Sequence, residues 1–199
     1  MKWKIERLGE LARVERGRFS VRPRNDPAYY GGTMPFVQTG DISGAQNGVI
    51  RTYSQTLNRK GVSVSKVFPK GTLLVSIAAN IGDSAILGFE SACPDSVIAV
   101  TPSAILSTGF LRHYMSAQQR WLTYLAPSGA QKNINIDFIE DLEIEHPPLP
   151  EQQKIADILG TWDEALEKLD ALIAAKARRK QALMQQLLTG RIRVKAASS

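Results

Sequence analysis

The amino-acid sequence predicts an α+β fold: a globular domain with a mixed or antiparallel sheet, followed by a long C-terminal helix of the coiled-coil-forming kind. Three observations predict it. Short apolar runs separated by turn residues recur through the first hundred positions, the pattern of strands in a partly buried sheet. Near residue 110 the spacing becomes helical. From Pro150 onward an apolar residue returns every three or four positions for about forty residues, more than a domain of roughly 145 residues needs to cover its own core.

The elements follow in order. Phe36 and Val37 lead into the turn QTGDISG, residues 49–53 read as a strand, and residues 71–87 read as two apolar strands around ANIGD. Residues 96–100 form another strand. Phe110, Leu111, Tyr114, Met115, Trp121, Leu122 and Leu125 then follow helical spacing, with Ser107 or Thr108 as the cap, and belong to the core. Residues 142–145 return as a strand that Pro147 and Pro148 terminate. Pro150 suits the first position of the long helix, Glu151 and Asp157 suit its positive end, and Gly190 suits a left-handed cap, with Arg191 and Arg193 at the negative end. The expected division is a globular domain over 1–149, a helix over 150–190 and a basic tail over 191–199.

Within the helix, Ile155, Leu159, Trp162, Leu166, Leu169, Ile173, Leu183 and Leu187 fall on a seam spaced alternately by four and three, broken only by Lys176 and Lys180. That average of 3.5 keeps one face toward a partner helix. A helix lying on its own domain is the other reading. Gly160 costs about 1 kcal/mol against alanine, and Thr161 with Glu164 could form a capping box that restarts the helix there. Charge bears on the orientation. Residues 1–132 carry 16 basic and 8 acidic side chains, residues 133–170 carry 2 and 11, and residues 171–199 carry 7 and none. An antiparallel pair sets each acidic half against a basic half, whereas a parallel pair sets like against like. The helix dipole alone accounts for charges at the ends but not for Lys176 to Lys180.

The run GAQKNI, an apolar-acidic strand, PPLPEQQKIADIL and a long helix closing in LMQQLLTGRIRV together resemble the conserved region of specificity (S) subunits of type I restriction-modification systems. VQTGDISG, PKGTLLVSIAANIGDSAI and ACPDSVIAV are similar to the framework of that family's target recognition domain. The resemblance covers nearly the whole chain and departs in length. Typical members carry two recognition domains and two helical regions in tandem; this chain has one of each and no internal repeat. It looks like a half-size subunit that rebuilds the tandem by homodimerising. The resemblance implies double-stranded DNA as ligand. It implies modification subunits as partners and, through them, restriction subunits, with S-adenosylmethionine, ATP and magnesium on those partners and no cofactor here. Two antiparallel copies would read an interrupted palindrome.

The residues carry none of that chemistry themselves. The Pro-Pro of His146-Pro147-Pro148-Leu149 lacks the flanks of a methyltransferase base-holding motif. None of the eleven lysines has an acidic residue two positions before it, as a common nuclease motif requires. Two isolated histidines and the single Cys93 have no ligand spacing for zinc. At 43% hydrophobic residues the chain is not a disordered one, and no apolar run approaches the about twenty residues of a membrane span. With no signal-peptide pattern and one cysteine, a cytoplasmic location is expected.

The first domain does hold groups suited to DNA. Arg13, Arg16, Arg18, Arg22 and Arg24 crowd one segment, and Arg51, Arg59, Lys60 and Lys66 flank another. Phosphate contacts come from such groups. Base reading needs amides or guanidiniums on loops, for which Gln38, Gln46, Asn47, Arg51, Tyr53, Gln55, Asn58 and Asn80 are candidates. Gln131, Lys132 and Asn133 belong to the family framework and are expected at the domain–helix junction or on a phosphate. A helical assembly protein with nonspecific DNA binding is the alternative.

Overall fold

The two ends of the globular unit are tied together by a short hairpin-like pairing. Strand β1 (Lys4–Arg7) runs antiparallel to β11 (Glu143–His146), with Lys4 opposite His146 and Arg7 opposite Glu143. The computed structural model describes residues 2–78, 80–125 and 135–194. Its α+β character is as expected, but the strands divide among three sheets, not one.

The principal sheet has five strands in the order β2-β10-β7-β8-β4. Its members are β2 (Ala12–Arg16), β4 (Val49–Ile50), β7 (Leu73–Ser76), β8 (Ser84–Leu87) and β10 (Val97–Pro102). All pairs are antiparallel except β4 with β8. Alternation along the strands separates two cores. Leu73, Val75, Ile98 and Val100 point into one, while Leu74, Val97 and Ala99 point into the other, as the two-residue period of a strand requires. Since β10 lies between β2 and β7 and both its faces are covered, its first four residues are all buried, which explains the unbroken apolar run VIAV.

A second sheet, β5-β3-β9-β6, consists of β3 (Tyr30–Phe36), β5 (Gln55–Leu57), β6 (Lys66–Phe68) and β9 (Ser91–Cys93). It covers a third core of Phe19, Val21, Phe36, Leu57 and Ala92. The helices are α1 (Leu8–Leu11), α2 (Thr39–Ser43), α3 (Arg59–Ser63), α4 (Thr108–Leu125), α5 (Ile136–Glu140) and α6 (Leu149–Leu188). Helix α4 buries Phe110, Leu111, Met115 and Leu122 in the first core, the face its periodicity specified.

Two local expectations change. The strand foreseen over 49–53 ends at Ile50, because β8 offers only Ile86 and Leu87 as partners before Gly88 turns to donate to the Ile50 carbonyl. The QTGDISG turn is instead the short helix α2. Gln38 and Asp41 close a capping box around its first turn, with Gln38 N–H donating to Asp41 Oδ2 at 2.8 Å.

The chain forms two compact units, Met1–Leu159 and Gly160–Ser199. Helix α6 is continuous through Gly160, so no restart occurs at Thr161. Its first turns pack with the globular unit: Ile155 and Ala156 lie against the first core, and Gln152 is completely buried. The Gln152 side chain accepts from Ser107 N–H at 2.8 Å and donates to the carbonyls of Ile105 at 3.0 Å and Pro147 at 2.8 Å. That one amide fastens the helix start to the loop before α4 and to the proline turn. Its physical role accounts for a glutamine in PPLPEQQ where the helical pattern alone would put an exposed residue. After the helix, Gly190 takes φ +72° and its N–H reaches the Leu187 carbonyl at 3.2 Å, the left-handed ending foreseen.

Candidate nucleic-acid interface

The arginine-rich segment is fixed by a close backbone approach. A Cβ on Gly17 would come within 2.2 Å of the Pro94 carbonyl oxygen, so only glycine fits. Gly17 N–H then donates to the Val97 carbonyl and Arg18 N–H to the Cys93 carbonyl, each at 2.9 Å. This contact brings several arginines around Asp95. Arg24 Nη2 donates to both carboxylate oxygens at 2.6 and 2.8 Å, Arg22 stands 3.8 Å away, and Arg16 Nε donates to the Asp95 carbonyl at 2.6 Å. Arg18 reaches the Ser65 carbonyl at 3.2 Å, and Arg22 also reaches that of Val21 at 2.7 Å.

The arginines expected to contact phosphates thus also make contacts within the chain. Much of this positive charge is already engaged with the chain's own acceptors, most of all with Asp95, which the charge count alone did not single out. The same holds nearby, where Arg13 and Lys66 both donate to Glu15 Oε1 at 2.7 Å. The Lys66 hydrogen bond holds the Glu15 carboxyl below its usual range; partial burial opposes this, and the charges of Lys66 and Arg13 add to the lowering.

Beside Asp95 opens a cleft of about 560 Å³. Three candidate residues line it together, Arg24, Gln38 and Gln55, with Asn25, Thr56 and Tyr30. Below them the Phe19 and Phe36 rings pack at 5.1 Å between centroids, and the Tyr30 hydroxyl donates to the Arg24 carbonyl. Sixteen residues separate Gln38 from Gln55, and Asp41 draws them close. Its carboxylate accepts from Gln38 N–H, from Ser54 N–H at 3.0 Å and from the Ser54 hydroxyl at 3.2 Å. Gln38 Nε2 then donates to Gln55 Oε1 at 2.6 Å. No signal short of the fold marked Asp41 for this part.

The other candidates are dispersed. Asn58 caps α3, accepting from Lys60 N–H at 3.0 Å and Gly61 N–H at 3.1 Å while donating to the Ala28 and Tyr30 carbonyls at 3.0 Å each. Those four bonds use both donors and both lone pairs of its amide, a capping role within the chain. Arg59 and Lys60 are exposed on the first turn of α3. Arg51 is exposed, Tyr53 packs edge-on against Phe89 at 5.3 Å, and Asn47 takes a left-handed φ of 53°. Asn80 does not line the cleft; it donates to Ser43 Oγ at 2.7 Å, within a polar group that includes Asp83 and Gln119. The Gln46 side chain and Gln131, Lys132 and Asn133 lie outside the described residues.

His146 is buried, with Nε2 at 2.8 Å from Glu6. Burial pushes the Cys93 thiol up, which keeps it an uncharged core group. Among the described residues no group of three or more His, Cys, Asp or Glu is arranged to hold a metal ion, and no helix is long and apolar enough to cross a membrane.

On the second unit the seam is bare within one chain. Trp162, Leu166, Leu169, Ile173, Leu183 and Leu187 retain between 41% and 68% of their exposure, and Leu172 and Met184 widen the apolar face. Of the eight seam positions, Ile155 alone is spent partly on the chain's own core.

The model of the type I restriction modification DNA specificity domain family matches residues 1–176. The specificity subunit of the type I restriction enzyme MjaIX of Methanocaldococcus jannaschii is 25% identical over 176 residues, covering 83% of this chain and 39% of that protein. A chain solved in work on complex assembly and conformational transition of a type I R-M system shares the fold at a TM-score of 0.71, with 21% identity over 93% of this chain and 45% of that one. The HsdS subunit from Thermoanaerobacter tengcongensis does so at 0.66, with 22% identity over 93% and 44%. This chain thus spans less than half the length of the proteins it matches. With a match that takes in both the cleft-bearing unit and the start of the exposed helical seam, the chain belongs to the type I restriction-modification DNA specificity family.

Proposed function

We propose that this chain is a non-catalytic DNA-recognition subunit that pairs with a second copy. The observation that carries the reading is the convergence of Arg24, Gln38 and Gln55 on one open cleft: a guanidinium and two amides are the groups that distinguish base edges. Arg59, Lys60 and Arg51 supply exposed cations for the phosphate backbone. The bare seam supports an antiparallel homodimer through residues 155–187, and the acidic first half and basic second half of the helix support the orientation. A twofold dimer reads an inverted repeat, so the target is two short half-sites around a spacer. Modification subunits, bound by the dimer in the cytoplasm, supply the methyl-transfer chemistry with S-adenosylmethionine, and restriction subunits supply ATP-driven cleavage with magnesium.

Gel shifts with the full chain on random and selected duplexes, with and without a modification subunit, test this. The expected result is a selected bipartite palindrome bound far more tightly than random DNA at about 0.15 M salt, where nonspecific binding is typically weak. Equal affinity for all duplexes would instead make the chain a helical assembly protein with nonspecific DNA binding. An asymmetric bipartite target would show that a different half-subunit is the partner.

A further inference from the structure

We propose that the apolar cleft at the base of α6 receives the C-terminal segment of a second copy, with Ile192 and Val194 as its anchors. The inference rests on the antiparallel pairing proposed above and adds a second contact at each end of it. The cleft, of about 500 Å³, is lined by Ile105, Pro147, Pro148 and Leu149 together with Lys4 and Glu6. Ile105 stands 53% exposed there, although Gln152 fastens its carbonyl.

The seam itself selects where two copies meet. One antiparallel register uses every seam position of both helices: Ile155 faces Leu187, Leu159 faces Leu183, Trp162 faces Lys180, Leu166 faces Lys176 and Leu169 faces Ile173. Both lysines then fall among the partner's Asp163, Glu164, Glu167 and Asp170. Sliding the pair by one heptad in one direction leaves Leu183 and Leu187 beyond the partner's seam. Sliding it the other way leaves Ile155 and Leu159 beyond it and sets the two Lys176 side chains together at the twofold axis.

Counted back from Ile155, the same four-and-three spacing passes Gln152 and reaches Pro148, a residue of the cleft wall. The facing positions of the second copy are Gly190 and Val194. Gly190 ends the helix at φ +72°, and the four residues after it span up to about 13 Å when extended, against roughly 6 Å of helix rise between Gln152 and Pro148. The segment therefore reaches the cleft. When it is extended, the alternation Arg191-Ile192-Arg193-Val194 puts both apolar side chains on one side and both arginines on the other. Leu188 and Val194 are 82% exposed and Ile192 46%, an apolar run that its own unit leaves uncovered. The negative end of one helix also lies beside the positive end of the other.

Cross-linking of full-length chains tests this. Two differently tagged populations, one carrying Ile105→Cys and the other Val194→Cys, are mixed and treated with a short bismaleimide; the native Cys93 is buried. A mixed-tag product should form and should disappear when Leu166→Glu and Leu169→Glu are added to both chains. A mixture of Leu159→Cys and Leu183→Cys chains reports the seam register in parallel. Replacing Ile192 and Val194 together with Asp should weaken pairing on the order of a hundredfold in Kd, with an unchanged circular dichroism spectrum. A seam product without the Ile105 to Val194 product, or pairing as tight as the parent's after the Asp replacements, overturns the inference while the homodimer stands. Capture of the Val194→Cys chain by an added modification subunit in place of the second copy overturns it too. Absence of both products from a monomeric parent overturns the homodimer as well.

Discussion

Replacing Gln152 with alanine tests the strongest structural claim, that one buried amide holds the helix start to the globular unit. The side chain is 0% exposed and serves three backbone groups, the Ser107 N–H and the carbonyls of Ile105 and Pro147, at 2.8 to 3.0 Å. Each hydrogen bond contributes about 1 kcal/mol net, and each buried group left without a partner costs about 1 to 3 kcal/mol. Water can re-enter beside the exposed Ile105, so a total near 4 kcal/mol is expected from those terms. For a protein of this size that lowers the melting temperature by about 8 to 16 °C. Gln152→Glu keeps the shape but loses both donors and buries a charge, and should do no better than alanine. Thermal melts by circular dichroism read both variants. A Gln152→Ala protein melting within about 3 °C of the parent, where surface substitutions fall, would show that this amide holds nothing.

Replacing Leu166 and Leu169 with Glu should leave the melting of an isolated chain nearly unchanged, since 58% and 51% of their surface is already exposed. It should abolish pairing, because four half-buried leucines at about 1 kcal/mol each correspond to roughly a thousandfold in Kd; light scattering that shows a monomeric parent at tens of micromolar, alone and with a modification subunit, would refute the seam. Asp95→Ala removes the carboxylate that holds Arg24 at 2.6 Å and should tighten binding to arbitrary duplex while steepening the salt dependence by about one unit of slope; an unchanged slope would mean that Arg24 stays away from phosphate. Gly160→Ala should stabilise α6 by about 1 kcal/mol, because nothing lies within 4 Å of the added Cβ; a loss of pairing in light scattering would mark the glycine as a close-approach point between copies. The Glu15 carboxyl, lowered from 4.5 by Lys66, contributes stability above that value which is lost as pH falls through the lowered one. Lys66→Gln should accordingly flatten the decline of melting temperature on acidification below about pH 5, and an identical decline would refute the pairing.

The elements with strong local patterns were legible in the sequence. Strands β7 and β8 lie within the foreseen 71–87 segment, α4 begins at Thr108, and α6 ends before Gly190. Each is specified by periodicity and by residues at its own ends. The division into three sheets was not legible, because β1 with β11 and β2 with β10 pair across long sequence separations that no local pattern encodes. The same reason governs the interface. The basic segment was evident as composition, but Asp95 lies 71 residues from Arg24, so its neutralising role depends on the fold. Gln38 and Gln55 were selected as amides suited to bases, and only the fold shows that they lie in contact at 2.6 Å. Asn58 carried the same signal as those two and turned out to be a helix cap, since a side-chain amide serves backbone and base equally well.

Strand β10 begins at Val97, immediately after the Pro94 and Ser96 that line the cleft, and is buried on both faces from its first residue. The cleft is thus rooted at the start of a strand held on both faces. Little ordering of that wall remains to be done when a ligand arrives, so its share of the association entropy is small, and affinity depends on fit more than on induced folding.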